Sequence, residues 1–250
     1  MSTVKQVSRE LVGRVCTDPK WIFLFLAASQ AHLITYLYSS YLVLWLNSFV
    51  GSSEEITTTG DVEMIFSRMT LVSIPVVMLT ILMMGLYSDS IQPVFQIAPA
   101  FALRSIICYS FKYVDDPTSA YAYTCSSLLL VASTMLVISL ESLFMKNLPR
   151  DIRGAMTILL TFFLGLGALL FHSVGGPIFD SMGPASPFVL VSFFDAVLCA
   201  FAIILGAIGL LTYANSAEEA VVAEPENSYV KEDPEMADAS TAINQDRRQT

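Results

Sequence analysis

Six long apolar runs constrain this sequence more than any other feature. A helix needs about 20 mostly apolar residues to cross the roughly 30 Å of hydrocarbon in a bilayer, and each run is close to that length or longer. The runs lack the alternation of apolar and polar residues that membrane β-strands show over about 10 residues. The sequence therefore predicts an all-α membrane protein with six transmembrane helices. The predicted spans are Trp21–Val50, Ile65–Tyr87, Pro93–Phe111, Tyr121–Met145, Ala155–Val174 and Pro187–Tyr213.

Composition excludes several other classes of protein. Of the 250 residues, 54% are hydrophobic and 14% are charged, whereas soluble domains carry about 25% charged residues. The formal net charge is −9, and most of it belongs to residues 216–250, which hold nine acidic and three basic residues. The body therefore offers no basic face to a nucleic acid. The four cysteines show no paired spacing, which argues against a disulfide scaffold.

Lysine and arginine cluster in segments that would share one side of a membrane. Four of them precede the first span, and Lys146, Arg150 and Arg153 surround the connection between spans four and five. The loop Gly51–Met64 contains none. Because such residues mark the cytoplasmic side, we expect both termini to be cytoplasmic. Three parts follow: a cytoplasmic leader or linker helix at 1–20, a six-span domain at 21–213, and a disordered, acidic cytoplasmic tail at 214–250.

Two segments of the chain share a pattern that suggests an internal repeat. Residues 85–93 and 176–184 both read G-x-x-x-D-S-[IM]-x-P, and they follow the second and the fifth span respectively. The spans then divide into two triplets, 21–111 and 121–213. The charge pattern places the first segment inside and the second outside, which predicts an inverted repeat of the kind common in secondary transporters. Chance similarity between two Gly- and Pro-containing turns is the other interpretation.

Three segments resemble loops of the major facilitator superfamily of transporters. That family has a loop of the form G-x-x-x-D-[RK]-x-G-[RK] between the second and third helices of each half. Gly85 and Asp89 match it, whereas Ser90, Gln92 and Pro93 depart from it. Residues 148–154, which read LPRDIRG, and residues 176–188 look like successive loops of the C-terminal half. The residues that would act in these conformational loops are Gly85, Asp89, Arg150, Arg153, Gly154, Gly176 and Asp180.

The resemblance covers residues 1–213 and implies one six-helix half of such a transporter. It implies secondary active transport of a small solute by alternating access, which requires two bundles around a central site. The chain opens where the linker between halves would lie. We therefore expect it to work with a second six-helix half, as a homodimer, or within a larger membrane complex. The alternative is a structural or accessory membrane subunit that kept a transporter half and lost transport, which the altered residues 90–93 favour.

Motifs of other six-span or catalytic proteins are missing from the sequence. It contains no Asn-Pro-Ala pair of an aquaporin, no G-x-x-x-x-G-K-[ST] phosphate loop and no H-E-x-x-H zinc motif. It also lacks the G-x-S-x-G elbow of a hydrolase. We therefore expect no catalytic residues, no metal and no cofactor.

Ionisable residues inside predicted spans are the first candidates for a site, because each costs at least about 2.5–3.5 kcal/mol at mid-depth. Arg104 lies near the middle of span three, where it could face an anionic solute or a coupling carboxylate, or form a structural pair with Asp195. Glu141 could pair with Lys146 or Arg150, or serve as a proton-coupling carboxylate. Arg68 lies at the outer end of span two and can reach the headgroups.

Two polar stripes complete the set of candidates. In span one, helical spacing places Ser29, His32, Tyr36, Ser40 and Asn47 on one face, and in span four Ser127, Thr134 and Glu141 recur every seven residues. The resemblance implies that these two helices line the central cavity. The other interpretation is that the Ser and Thr residues bond packed helices together. The predicted cavity residues are Ser29, His32, Tyr36, Ser40, Arg104, Ser127, Thr134 and Glu141.

Overall fold

The computed structural model describes residues 18–51, 56–88, 90–147 and 153–211. Six helices in these ranges are long and apolar enough to cross a membrane, which confirms the predicted number of spans. They are α1 (Pro19–Asn47), α2 (Thr59–Tyr87), α3 (Pro93–Tyr113, with a final 3₁₀ turn), α4 (Ala120–Lys146), α5 (Arg153–Met182) and α6 (Ser186–Ala207). A compact unit ends at Tyr213, and a second unit, Ala214–Thr250, lies outside the described residues. So does the predicted leader up to residue 17.

Helix α2 begins six residues before its predicted start at Ile65. Thr58 and Asp61 form a capping box, in which the Thr58 backbone N–H donates to Asp61 Oδ2 at 2.8 Å. A carboxylate in the first turn stabilises a helix N-terminus. Asp61 and Glu63, which hydropathy assigned to a loop, therefore belong to the start of the helix, and the Gly51–Met64 loop is shorter than predicted.

Helix α5 runs to Met182, eight residues beyond its predicted end at Val174. Pro177 removes one backbone donor. In hydrocarbon, however, no water replaces lost hydrogen bonds, so continuing the helix satisfies more backbone groups than ending it. Asp180 consequently lies in the last turn of α5 rather than in a loop.

Helix α6 ends at Ala207, six residues before the predicted end at Tyr213. Gly209 adopts a φ of +78°, and the Leu210 N–H donates to the Leu205 carbonyl at 2.9 Å. A glycine in the left-handed region just after the last turn is a common helix stop. Hydropathy alone does not register it, because the residues beyond it are still apolar.

The six helices pack in a reciprocal pattern. The third helices of the two triplets, α3 and α6, pack against each other. The first helix of each triplet packs against the middle helix of the other, α1 on α5 and α4 on α2. The middle helices α2 and α5 are the least enclosed, with 17% of their apolar windows buried against 44–56% in α1, α3 and α4. They therefore present the largest apolar surfaces of the bundle.

A buried ion pair joins three helices at the centre of the bundle. Arg104 on α3 donates from Nε and Nη2 to the two carboxylate oxygens of Asp195 on α6, at 2.7 and 2.5 Å. It also donates to the Gln30 and Ala31 carbonyls of α1 at 3.2 and 3.3 Å. The two charged side chains are 1% and 0% exposed. Such a bidentate, enclosed pair fixes geometry as well as charge.

Breaking this pair on one side should destabilise the bundle. Arg104→Leu leaves the Asp195 carboxylate buried without its counter-charge, and we expect it to lower the free energy of unfolding by about 3–5 kcal/mol. The double variant Arg104→Leu/Asp195→Leu should recover most of that loss, because it removes both charges. Thermal unfolding of the purified protein in detergent measures both effects. An unchanged midpoint in the single variant would contradict the structural role.

Candidate functional site

His32 on α1 and Glu141 on α4 come together on an open side of the bundle. The distance from His32 Nε2 to Glu141 Oε1 is 3.7 Å, and the two side chains are 37% and 58% exposed. Both residues belong to helices long enough to span a membrane. An ionisable side chain exposed from such a helix needs water, a solute or a protein partner, because lipid tails do not solvate it.

Aromatic side chains continue this open side from α1 onto α5. Tyr36 lies one turn after His32 on α1, and its ring meets His172 of α5 edge-on, with the centroids 5.0 Å apart. Tyr41 stacks on the same imidazole at 6.0 Å. The chain contains two histidines, and both are placed here. We call His32, Tyr36, Glu141 and His172 the polar face.

A π turn in α1 allows two tyrosines to reach the same histidine. Residues Leu37–Tyr41 form i→i+5 hydrogen bonds, one residue more per turn than an α-helix, and such turns are frequent at functional sites. Tyr36 and Tyr41, five residues apart, therefore both face α5. In a regular helix they would be separated by about 140° around the axis.

Two glycines of α5 let α1 approach closely. A Cβ atom on Gly175 would lie 2.4 Å from Tyr41 Oη and 2.8 Å from Cζ, and one on Gly167 would lie 1.8 Å from Ser29 Oγ. At neither position is there room for a side chain larger than that of glycine unless a neighbouring atom moves. The glycines therefore set the distance between α1 and α5, and with it the position of the rings around His172.

The structure brings together only part of the predicted cavity set. It unites His32 with Glu141 and places Tyr36 one turn away. Arg104 is enclosed with Asp195 and does not reach the polar face. The remaining candidates serve other contacts: Ser29 lies against Gly167, Ser127 bonds Ser73 of α2 at 2.9 Å, Thr134 donates to the Leu130 carbonyl, and Ser40 lies within the π turn.

The predicted loop residues do not form equivalent loops. Gly85 lies in the last turn of α2, whereas Gly176 lies six residues before the end of α5. Arg153 and Gly154 begin α5. Asp89 and Arg150 lie outside the described residues. The two copies of the sequence pattern thus occupy different positions relative to their helix ends.

His172, Tyr41 and Gly175 are residues of the site that the polar stripes did not identify. The sequence signal for the glycines was present, since small residues at helical spacing mark close helix contacts. The sequence carried no signal for the register between α1 and α5, because the π turn that sets this register has no distinctive sequence. Among the described residues no group of three His, Cys, Asp or Glu side chains is placed to hold a metal ion.

The polar face can exchange a proton or bind a charged group. An imidazole and a carboxylate at 3.7 Å form an ion pair only when the imidazole is protonated.

Comparison of the chain with protein-family models, with curated proteins and with solved structures finds no match.

Gly175→Ala should separate α1 from α5, whereas Gly176→Ala should not. The new Cβ at 175 collides with the Tyr41 ring, and we expect a loss of about 1–3 kcal/mol in the free energy of unfolding. No atom lies within 4 Å of a Cβ at 176, so that variant is the matched control and should gain the helical preference of alanine over glycine. Thermal unfolding of both variants measures the difference. Equal stability would contradict the close contact at Gly175.

A cysteine at position 141 should react with a water-soluble thiol reagent, and one at position 139 should not. Glu141 is exposed, whereas Ser139 on the same helix is 2% exposed and bonds Gln96 of α3 at 3.2 Å. Labelling of Glu141→Cys and Ser139→Cys with sulfonatoethyl methanethiosulfonate, localised by peptide mass spectrometry, measures access. Failure to label position 141 would show that this side faces lipid or a sealed interface rather than water.

Proposed function

We propose that this chain is one six-helix half of a secondary active transporter of the major facilitator type, which moves a small solute by alternating access. The observation that carries the proposal is the His32–Glu141 pair. It lies half-exposed on the first helices of the two triplets, which the family resemblance assigns to the central cavity. Membrane helices rarely expose such residues without a functional reason.

The dimensions of the helices support an internal repeat. The first triplet contains helices of 29, 29 and 21 residues, and the second contains helices of 27, 30 and 22. A twofold rotation that exchanged the triplets would relate the contact of α1 with α5 to that of α4 with α2, although the contact of α3 with α4 is larger than its counterpart, α6 with α1. An inverted repeat is the usual internal symmetry of such transporters.

A second six-helix unit would find its contact surface on α2 and α5. These helices flank the first helices of the opposite triplets, and they are the least buried of the six. A second half, or a second copy of this chain, that packed on α2 and α5 would cover the polar face and enclose it in a central cavity. The charge pattern assigns both termini of the chain to the cytoplasm.

An accessory subunit derived from a transporter half is the second candidate. The departure of residues 90–93 from the family loop favours it. So does the engagement of Arg104 by Asp195, because it removes the strongest charged candidate from the cavity.

Uptake into proteoliposomes tests the proposal. The protein is purified from its native membrane with any chains that accompany it, reconstituted, and tested with radiolabelled organic cations, organic anions and sugars. We expect saturable uptake of one class above empty liposomes. Glu141→Gln should reduce it by about tenfold or more, the equivalent of roughly 1.4 kcal/mol or more.

Glu63→Gln is the matched control, because Glu63 is an exposed carboxylate in the first turns of α2, away from the polar face. It should retain uptake. If no solute enters above the level of empty liposomes, the transporter assignment fails and the accessory one stands. Equal uptake by Glu141→Gln and wild type would remove Glu141 from the site.

A further inference from the structure

The polar face contains one carboxylate, one phenol and two imidazoles. The Glu141 side chain is 58% exposed. Its contact with His32, at 3.7 Å, is longer than a hydrogen bond. The acceptor positions of that carboxylate oxygen are therefore open to another donor.

Three cations of the described helices are directed away from the polar face. Arg104 is fully buried and donates to Asp195 and to two carbonyls of α1. Lys146 follows Glu141 by five residues on α4, which places it about 140° around the helix axis. Arg68 donates to Met64 Sδ on α2 at 3.4 Å. An anionic solute would therefore meet Glu141 without a permanent positive charge from these residues.

The aromatic side chains next to Glu141 suit a cation. Tyr36 is 39% exposed and lies one turn from His32, so it neighbours the Glu141 contact along the same side of α1. Its ring and that of Tyr41 enclose the His172 imidazole. Tyrosine faces attract ammonium groups through the ring quadrupole, and quaternary ammonium ligands are bound in this way.

We propose that the polar face selects a positively charged organic solute, an amine or a quaternary ammonium ion, with Glu141 as its counter-ion and Tyr36 as an aromatic contact. The proposal rests on the proposed function for the role of this face, and it names the class of solute. It replaces the anionic preference that an unpaired Arg104 would have implied.

Two probes of similar size and opposite charge test the proposal. Phenyltrimethylammonium and benzenesulfonate, both radiolabelled, are dialysed to equilibrium at pH 8 against the protein purified in detergent with any chains that accompany it, as for the uptake assay, with empty micelles subtracted. The cation should bind saturably, and the anion should not. Glu141→Gln should weaken binding of the cation about tenfold or more, since it removes the counter-charge of the cation. Tyr36→Leu should weaken it about 3- to 30-fold.

Two further variants keep the test interpretable. Glu141→Asp keeps the charge and should keep most of the binding, which excludes a folding defect as the cause of the loss in Glu141→Gln. Glu63→Gln should bind as the wild type does. Saturable binding of benzenesulfonate alone, equal binding of the cation by wild type and Glu141→Gln, or no saturable binding of the cation would each overturn the proposal.

Failure of this proposal differs from failure of the transporter assignment. Uptake of an anion or a sugar without binding of phenyltrimethylammonium would overturn the solute class and keep transport. Binding of the cation that depends on Glu141, with no uptake of any solute, would keep the site and assign it to an accessory protein.

Discussion

A guanidinium in the middle of an apolar bundle needs a counter-charge and acceptors for its remaining donors, and the rest of the bundle is arranged around that need. Arg104 on α3 donates hydrogen bonds to both carboxylate oxygens of Asp195 on α6 and to two backbone carbonyls of α1. These contacts hold α1, α3 and α6 together. Since the strongest charges in the spans neutralise each other, the open side formed by α1, α4 and α5 is left with a weaker and more adaptable set of groups.

The sequence determined the number of helices well and their ends less well. Long apolar runs predict spans because hydrocarbon tolerates few alternatives. Ends depend on local hydrogen bonds that hydropathy ignores. The capping box at Thr58 and Asp61 extends α2 at its start, and the positive φ of Gly209 shortens α6. Helix α5 continues past Pro177 to Met182, because a membrane penalises an open backbone more than it penalises one missing donor.

The candidate site was predictable in part. Helical spacing placed His32 and Tyr36 on one face of α1, and the structure places Glu141 of α4 beside His32. The same spacing failed for Ser29 and Ser127, because their contacts depend on which neighbouring helix lies opposite, Gly167 of α5 in one case and Ser73 of α2 in the other. Spacing also failed beyond Tyr36, since the π turn rotates the C-terminal part of α1 by about one residue, roughly 100°.

The ion pair also has a consequence for the order of events during synthesis. Arg104 and Asp195 are 91 residues apart in the chain, so at about 5–20 residues per second Arg104 waits roughly 5–20 s for its counter-charge to be made. During that interval α3 holds a guanidinium without Asp195. Its earlier neighbours, the Gln30 and Ala31 carbonyls of α1, already exist and can accept from it. The acceptors on α1 are therefore synthesised first and the Asp195 counter-charge last. The ion pair of the bundle can form only after α6 has been synthesised.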